Sequence, residues 1–212
     1  MTKDTLDYKE LVTKIYFIRH GETKANKLRL IFGHLDWNLT KKGEQQARKA
    51  ANNLSKLLKK ERVDFIISSP LKRAKHTAQI ISKKLKLKKI ITEKDLMEKG
   101  EGIWEGKNYW EVREYDYKNY LKWLKDPVKY RPLKGESLED MNIRVKRFYN
   151  LLLKKYAGKT VLVVSHAGPI RLFLLNLLNA KSDKFWSISI SCGSISEANI
   201  SKNHSTISYI NR

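Results

Sequence analysis

Two histidines occupy equivalent positions in this sequence, because each one lies within two residues of the end of a short apolar run. His20 follows Arg19 and the run of residues 15–18, and His166 follows the run of residues 160–164. Short apolar runs bounded by polar residues are typical of buried strands. In an open α/β sheet, ligands bind beyond the carboxyl ends of the strands. The pattern therefore predicts that both histidines face one ligand site.

Two arginines are expected at the same rim of the sheet. Arg19 directly precedes His20, and Arg73 follows a third apolar run, residues 63–67, in the first turn of a predicted helix. A guanidinium group offers planar pairs of donors that match the oxygens of a phosphate. Backbone N–H groups at the start of a following helix would add further donors. The set of two histidines and two arginines indicates a pocket for an anion such as phosphate.

A metal site is the alternative interpretation of the two histidines. Zinc and similar ions are held by histidine together with cysteine or carboxylate ligands. Here the neighbours are Arg19 and Arg73, whose positive charges disfavour a bound cation. We therefore expect neither a metal nor another cofactor.

The elements that must position these residues alternate between strand and helix along the chain. Strands are predicted at residues 15–18, 63–67, 90–91, 160–164, 187–200 and 205–210. Helices are predicted at residues 40–60, 107–125, 137–156 and 168–178, with one more that begins at Ser69; the expected N-caps are Thr40, Ser69 and Ser137. This alternation predicts an α/β fold, a three-layer sandwich with a mostly parallel central sheet and helices on both faces. No linker or repeat divides the chain, so we expect a single domain over residues 1–212.

The chain is strongly basic, since 44 Lys and Arg against 22 Asp and Glu give a formal net charge of +22. Such an excess raises the local concentration of anions near the surface. Taken alone, it leaves nucleic acid, acidic lipid and phosphorylated metabolites open as partners. The lysines are spread along the whole sequence, which is typical of a solvated surface.

The compartment is indicated by the cysteine content and by the apolar runs. The single cysteine, Cys192, excludes an intrachain disulfide and indicates a reducing environment. The amino-terminal segment lacks the apolar stretch of a secretory signal. The most apolar region, residues 161–178, is interrupted by His166, Pro169 and Arg171 and is a poor membrane span. We expect a cytoplasmic protein that has no membrane partner, and the sequence leaves a homodimer open.

Six motifs, in order along the chain, resemble those of the histidine phosphatase superfamily in its phosphoglycerate-mutase-like branch. The first is Arg19-His20-Gly21-Glu22-Thr23, with Asn26 beyond it. The others are Gly33-His34-Leu35-Asp36 with Gly43-Glu44, Ser68-Ser69-Pro70-Leu71-Lys72-Arg73, Leu96-Met97-Glu98, Gly135-Glu136-Ser137 and Val164-Ser165-His166. The resemblance extends from about residue 14 to about residue 200, nearly the whole chain. It implies a phosphoglycerate-mutase-like fold and an enzyme that transfers phosphoryl groups.

The resemblance also implies a role for each residue of the predicted pocket. His20 would attack phosphorus and form a phosphohistidine, which divides the reaction into two steps. Arg19, Arg73 and His166 would stabilise the charge on the phosphoryl oxygens. Further substrate-binding donors are implied at Thr23, Asn26 and the backbone N–H of Ala167.

The acid loop is the segment around Glu98. The residues alone favour a solvated carboxylate there, whereas the resemblance implies that Glu98 protonates the leaving oxygen and later activates water. Position 101 departs from the family pattern, since Glu101 stands where an apolar aromatic residue is usual. Glu105 lies in a Trp-Glu-Gly turn, and we expect it to be structural.

Three functions follow from these observations. We expect a metal-independent phosphomonoesterase that acts on a small phosphorylated metabolite. The first alternative is a cofactor-dependent phosphoglycerate mutase, but mutases typically carry an inserted segment and a Tyr-Gly pair after the acid, where this chain has Glu101-Gly102. The segments 33–36 and 165–171 are similar to those of α-ribazole phosphatases and broad-specificity phosphatases, and a phosphoserine phosphatase stays open.

The second alternative is a non-catalytic basic module that binds nucleic acid beside a vestigial pocket. Binding to a phosphate backbone would weaken steeply with salt, whereas turnover of a small metabolite would survive moderate salt. The histidine and arginine motifs favour the enzyme, so we do not expect nucleic acid as the partner.

Overall fold

The computed structural model describes residues 11–59 and 61–212, and these residues form a six-stranded sheet. The strands are β1 (Thr13–Arg19), β2 (Phe65–Ser68), β3 (Ile90–Thr92), β4 (Thr160–Ser165), β5 (Ile195–Ile200) and β6 (Ser205–Tyr209). Their order across the sheet is β3-β2-β4-β1-β5-β6. The first four strands are parallel, and β5 and β6 are antiparallel to their neighbours. The prediction of a mostly parallel sheet is confirmed. A single domain over residues 1–212 stays a prediction, since residues 1–10 and 60 lie outside the described part.

Helices cover both faces of the sheet, as expected for a three-layer α/β sandwich. The α-helices are α1 (Lys24–Lys27), α2 (Lys41–Leu58), α3 (Lys72–Leu85), α4 (Tyr109–Tyr115), α5 (Tyr117–Lys125), α6 (Leu138–Lys155) and α7 (Ala167–Leu177). Short 3-10 helices occur at Lys94–Leu96, Gly102–Trp104 and Ser182–Ser187. The core on one face packs against α2 and α3, and the core on the other packs against α6 and α7. Among the described residues, none of the helices is long and apolar enough to cross a membrane.

The two central strands divide their side chains between these two cores. On β1, Ile15 and Phe17 face α6 and α7, whereas Tyr16 and Ile18 face α2 and α3. The side chains of β4 alternate in the same way. Because successive side chains of a strand point to opposite faces, a strand that is covered on both sides is apolar at every position. This explains the uninterrupted apolar runs before both histidines.

Side-chain caps fix the starts of two long helices where the sequence predicted them. The Thr40 hydroxyl oxygen accepts a hydrogen bond from the Gly43 N–H at the start of α2. Ser137 and Asp140 form a reciprocal capping box at the start of α6. The described part of α2 ends at Leu58, and the predicted end at residue 60 lies outside the described residues.

The prediction that Ser69 caps the third helix is wrong. The helix α3 begins two residues after Pro70, and its N-cap position is Leu71, which makes no side-chain cap. Ser69 instead packs at the end of β2, where its hydroxyl lies 2.8 Å from the His166 ring. Arg73 is in the first turn of α3, as expected.

Two predicted elements are shorter than expected. The aromatic segment 107–125 forms two helices, because Asp116 ends α4 and its carboxylate accepts hydrogen bonds from the Trp104 indole and the Asn119 amide. The predicted strand 187–200 is reduced to β5. A turn at Gly193, whose φ of 72° favours glycine, separates β5 from the preceding segment.

Replacing Phe173 with alanine should lower the free energy of unfolding by about 3–5 kcal/mol, because it leaves a cavity in the core. The Phe173 ring is 2% exposed and lies 4.6 Å from the Phe17 ring, centroid to centroid. Urea denaturation measures the change. Trp110→Ala is the control, since Trp110 is 71% exposed, and it should change stability by less than about 0.5 kcal/mol. Equal losses in both variants would contradict this packing.

Candidate active site

The register between β1 and β4 places the two predicted histidines side by side. Arg19 pairs with Ser165 at the ends of these parallel strands, so His20 and His166 follow at the same level. Their ring centroids are 5.0 Å apart. Both rings are buried, with 1% and 0% exposure. The expectation that both strands deliver a histidine to one rim agrees with this geometry.

His20 is held in one tautomer by its own loop. Its Nδ1 lies 2.7 Å from the Gly21 carbonyl oxygen, which can only accept, so Nδ1 carries the proton and donates it. Nε2 is then the unprotonated nitrogen, and no described residue forms a hydrogen bond with it. Burial, followed by the charges of Arg19 and Arg73, holds the pKa of His20 well below its usual value. A neutral imidazole with a free lone pair is a competent nucleophile.

Two glycines bring the His20 loop onto the first turn of α2. A Cβ atom at Gly21 would lie 2.1 Å from the Gly43 carbonyl oxygen, and a Cβ at Gly43 would lie 2.1 Å from the Glu22 carbonyl oxygen. The backbones therefore touch directly and leave no room for a side chain. The Gly21 N–H also donates to the Thr77 hydroxyl of α3, at 3.2 Å. These contacts fix the loop independently of any ligand.

Arg73 is a buried cation bonded to several protein groups. Its Nε donates to the Nδ1 of His166 at 3.2 Å, so Nδ1 is the acceptor nitrogen of that ring. Its two terminal nitrogens donate to the carbonyl oxygens of Gly33 and Leu35, and one also contacts the Asp36 carboxylate at 3.4 Å. Burial lowers the pKa of Arg73, and nearby carboxylates oppose that shift.

His166 lies between Arg73 and Ser69. Since its Nδ1 accepts from Arg73, its Nε2 carries the proton and donates to the Ser69 hydroxyl at 2.8 Å. Burial and then the charge of Arg73 hold the pKa of His166 well below its usual value. Both ring nitrogens have protein partners, so in this arrangement His166 orients Arg73 and keeps the site free of a second positive ring.

Arg19 supplies the cation nearest to the open side of the site. Its Nη1 donates to the Ile190 carbonyl oxygen at 2.5 Å, which anchors the side chain. Its Nε is buried and has no hydrogen-bond partner among the described residues. Arg19 also lines the cavity that opens beside the histidines. An unpaired buried donor of this kind fits an anion.

The substrate-binding role of Thr23 stays a prediction, and in this structure its hydroxyl is bonded within the protein. The Thr23 hydroxyl donates to the Asn26 Oδ1 at 2.9 Å, and its oxygen accepts from the Asn26 backbone N–H. Together they form a capping box at the start of α1, because Asn26 also accepts from the Thr23 backbone. Thr23 therefore holds the Asn26 side chain in place. The Asn26 amide NH₂ forms no hydrogen bond with a described residue.

The start of α7 meets the acid loop. The Ala167 N–H is in the first helical position and forms no hydrogen bond with a described residue, as is usual at a helix start. The Gly168 N–H donates to Glu98 Oε2 at 3.3 Å. A Cβ at Gly168 would lie 2.1 Å from Glu98 Oε1, so glycine gives the carboxylate its space. Glu98 is thus placed at the start of the helix that follows His166, where it lines a cavity.

A buried arginine that the sequence reasoning missed holds the acid loop. Arg144 donates to the carbonyl oxygens of Asp95, Met97 and Glu98 at 2.8, 2.6 and 3.0 Å. It also forms two hydrogen bonds to the Glu136 carboxylate. Burial raises the pKa of Glu136, but its bonds to Arg144 outweigh burial and the net pKa is lowered. The sequence signal for a buried arginine here was a charged residue at position 144 on the otherwise apolar face of α6.

The loop is closed further by Glu105 and Glu136. Glu105 accepts hydrogen bonds from the backbone N–H groups of His34 and Glu101, which supports the structural role expected for it. The Gly100 N–H donates to Glu136 Oε2 at 2.8 Å. The backbone from Glu98 to Glu101 is therefore held from two sides.

A cavity opens beside the phosphate pocket predicted from the sequence. Its lining includes Arg19, Glu98, Glu101, Tyr109, Arg171 and Trp186. Arg171 was not among the predicted site residues, although it lies one helical turn after Ala167 on α7. Its Nε is buried without a described partner, and burial lowers its pKa. Burial also raises the pKa of Glu101 to about 7, although Lys99 opposes the shift.

The described residues contain no group of three or more His, Cys, Asp or Glu side chains arranged to hold a metal ion. The charged neighbours of the two histidines are Arg19 and Arg73, which repel cations. The unpaired Arg19 Nε and the Ala167 N–H fit a bound anion better than a bound cation.

Arg144→Met should lower the free energy of unfolding by about 3 kcal/mol or more, because the Glu136 carboxylate loses its ionic partner and the Asp95 and Met97 carbonyl groups lose their donor. Hydrogen exchange of residues 98–101 should become faster than in the wild type. Arg147→Met is the matched control, since the Arg147 side chain is 64% exposed and binds Asp95 at the surface. We expect little or no change in stability there, since solvent screens an exposed ion pair. Unchanged exchange in Arg144→Met would show that other contacts hold the loop.

Comparison with known proteins assigns the chain to a family. Residues 15–212 match the family described as "Histidine phosphatase superfamily (branch 1)". Phosphoserine phosphatase 1 of Hydrogenobacter thermophilus is 34% identical over 200 residues, covering 94% of this chain and 92% of the relative. The adenosylcobalamin/alpha-ribazole phosphatase of Escherichia coli is 32% identical over 199 residues, covering 93% and 95%.

Solved structures give the same assignment. The crystal structure of the alpha-ribazole phosphatase from Shigella flexneri superposes with a TM-score of 0.86 at 29% identity, covering 94% of this chain and 96% of that one. The chain therefore belongs to the histidine phosphatase superfamily, branch 1, and is an enzyme of the phosphoglycerate-mutase-like type.

Proposed function

We propose that this phosphatase is a metal-independent phosphomonoesterase that acts on a small phosphorylated metabolite through a phosphohistidine at His20. The observation that carries the proposal is the state of His20: a buried, neutral ring whose Nδ1 is bonded to the Gly21 carbonyl and whose Nε2 is free. Arg19 has an unpaired buried Nε nearby, and Glu98 lines the same cavity as Arg19.

In the first step, the Nε2 lone pair of His20 attacks phosphorus and the bond to the ester oxygen breaks. Glu98 donates a proton to that departing oxygen, so the leaving group departs as a neutral hydroxyl. The phosphorylated ring keeps its Nδ1 proton and carries a positive charge. The Gly21 carbonyl oxygen, 2.7 Å from Nδ1, stabilises that charge. The barrier is therefore divided between two chemical steps.

In the second step, Glu98 accepts a proton from water as the water oxygen attacks phosphorus. The bond between phosphorus and Nε2 breaks, which returns His20 to its neutral form and releases inorganic phosphate. The charge on the phosphoryl oxygens is met by Arg19, Arg73 and the Ala167 N–H, with Asn26 as a neutral donor. His166 acts on the oxygens chiefly through Arg73, which it orients.

The choice of hydrolysis over mutase activity is supported by the relatives and by the acid loop. The similar proteins described above carry the names of phosphatases. The loop after Glu98 reads Lys99-Gly100-Glu101-Gly102 instead of the Tyr-Gly pair of mutases. Phosphoserine and α-ribazole phosphate are the first substrates to assay, since they are the substrates in the relatives' names. A phosphoglycerate mutase would produce an isomeric ester, whereas a phosphatase releases inorganic phosphate.

Brief exposure to an ester labelled in its phosphate should leave acid-labile, base-stable label on His20. His20→Ala should abolish the label and lower turnover by about a thousandfold or more, because it removes the nucleophile. His204→Ala is the matched control, since His204 is exposed in the turn between β5 and β6, and it should keep both. Mass spectrometry of the labelled peptide identifies the site. Rapid turnover without any trapped label would overturn the covalent mechanism.

Turnover should persist in an excess of chelator, because the proposed reaction uses only side chains and backbone donors. Release of inorganic phosphate measures the rate, with a metal-dependent phosphatase as the positive control for the chelator. Loss of activity that is restored by added zinc or magnesium would favour the metal interpretation instead.

A further inference from the structure

One acidic side chain in the cavity has no part in the proposed chemistry. Glu101 lies three residues after Glu98 and lines the cavity beside the phosphoryl position. Its side chain is 20% exposed, so it is accessible from the cavity although largely covered. In the histidine phosphatase pattern, an apolar aromatic residue is usual at the position of Glu101. A carboxylate there needs a physical reason, since burying it is unfavourable.

Lys99 holds this carboxylate in place. The Lys99 Nζ donates to Glu101 Oε2 at 2.6 Å and to the Glu136 carbonyl oxygen at 3.0 Å. The Lys99 side chain is 10% exposed, so the ammonium forms the inner side of the pair. The Glu101 backbone N–H is bonded to Glu105 at 3.0 Å, which fixes the start of the side chain. The carboxylate is therefore positioned before any ligand binds.

The pair leaves acceptor capacity on a carboxylate that lines the cavity. A carboxylate has two oxygens, each able to accept about two hydrogen bonds. Oε2 is bonded to Lys99, whereas Oε1 forms no hydrogen bond with a described residue. A purely structural ion pair would not require its acidic member to line a ligand cavity. The unpaired oxygen fits a donor group on the ligand.

Several charged or titratable groups face Glu101. Burial raises the pKa of Glu101 to about 7; Lys99 opposes this shift, and the charges of Glu98 and Glu105 add to it. Tyr109 also lies near it, and burial followed by the charge of Glu101 raises the pKa of Tyr109 to about 12. Arg171, on the α7 side of the cavity, repels cations. Of the charged groups that line the cavity, Lys99 and Arg171 repel a positively charged leaving group, whereas the carboxylates of Glu98 and Glu101 attract it.

We propose that Glu101, held by Lys99, is a specificity residue that accepts a hydrogen bond from a donor on the leaving group, with an ammonium preferred over a hydroxyl and both over an apolar group. The inference rests on the proposed phosphomonoesterase function and names the class of ester that the site selects. Short esters that differ only in the leaving group test this selectivity apart from the chemical reaction, because they share the same phosphoryl group.

The test compares phosphoethanolamine and 2-hydroxyethyl phosphate with propyl phosphate, which has a similar length and no donor. The measured quantity is the ratio of kcat/KM for each donor ester to that for propyl phosphate. In Glu101→Gln, the amide oxygen can still accept from Lys99, and the amide NH₂ then faces the cavity as a donor. We expect the phosphoethanolamine ratio to fall by about tenfold. Glu139→Gln, at an exposed position in the first turn of α6, is the matched control and should keep the wild-type ratio.

The wild-type enzyme gives a second measurement that needs no variant. Glu101 is protonated below its pKa and ionised above it, so the phosphoethanolamine ratio should rise between about pH 6 and about pH 8. Groups shared by both esters, including the phosphate itself, largely cancel in the ratio. The ratio should be independent of pH in Glu101→Gln.

A change of less than about threefold in the ratio for Glu101→Gln overturns the inference. If that variant does not fold, the wild-type pH series decides, and a flat ratio overturns it. Turnover of all three esters without preference leaves the proposed function standing and removes only this inference. Absence of His20-dependent turnover of every ester would overturn the proposed function, and the inference with it.

Discussion

The parallel pairing of β1 with β4 is the constraint on which the site depends. The two strands are central in the sheet and buried on both faces, and their register aligns Arg19 with Ser165. Because the side-chain period of a strand is two, a slip of one residue would exchange the faces of β1 and bury the wrong set. The two cores thus fix the register, and the register fixes the 5.0 Å separation of the histidine rings. The packing of the two cores therefore also sets the relative positions of the two histidines.

The acid loop is built on a different principle, since no strand carries Glu98. The carbonyl groups of Asp95, Met97 and Glu98 all accept hydrogen bonds from Arg144, so one buried guanidinium takes the place of the hydrogen bonds of a sheet. Glu136 balances the charge of that guanidinium and bonds the loop again at Gly100. The nucleophile is thus positioned by regular secondary structure, and the acid by an ion-pair network.

The sequence was sufficient for the elements that obey local rules. Apolar runs revealed the central strands, and Thr40 and Ser137 marked true helix starts, because capping is a short-range interaction. The sequence was not sufficient where contacts outside the local segment determine the structure. Asp116 breaks the aromatic segment into two helices through contacts that include Trp104, and the tail strand shortens at a glycine turn. Such partners cannot be read from spacing alone.

The candidate site divides in the same way. The strand-end positions of His20 and His166 were visible as motifs, whereas the partners that set their tautomers were not. Arg73 was expected to bind a ligand, but that its Nε would bond the His166 ring could only be seen in three dimensions. Thr23 was assigned to the ligand by the family resemblance, and the capping box that engages its hydroxyl was not predicted. Arg144 was missed because the carbonyl groups that it binds lie 46 to 49 residues earlier in the chain.

The contact between Gly21 and Gly43 has a consequence for how this chain can change over evolutionary time. Each glycine is blocked by a backbone carbonyl group, so no side-chain substitution elsewhere could make room for a methyl group at either position. Only a displacement of the whole helix α2 would do so, and its apolar face is locked into the core. The segment between the two glycines is therefore tied at both ends, and within it the carbonyl groups of Gly33 and Leu35 accept hydrogen bonds from Arg73. Substitution in this part of the molecule is limited at the two ends by direct backbone contact and between them by the groups that serve the site.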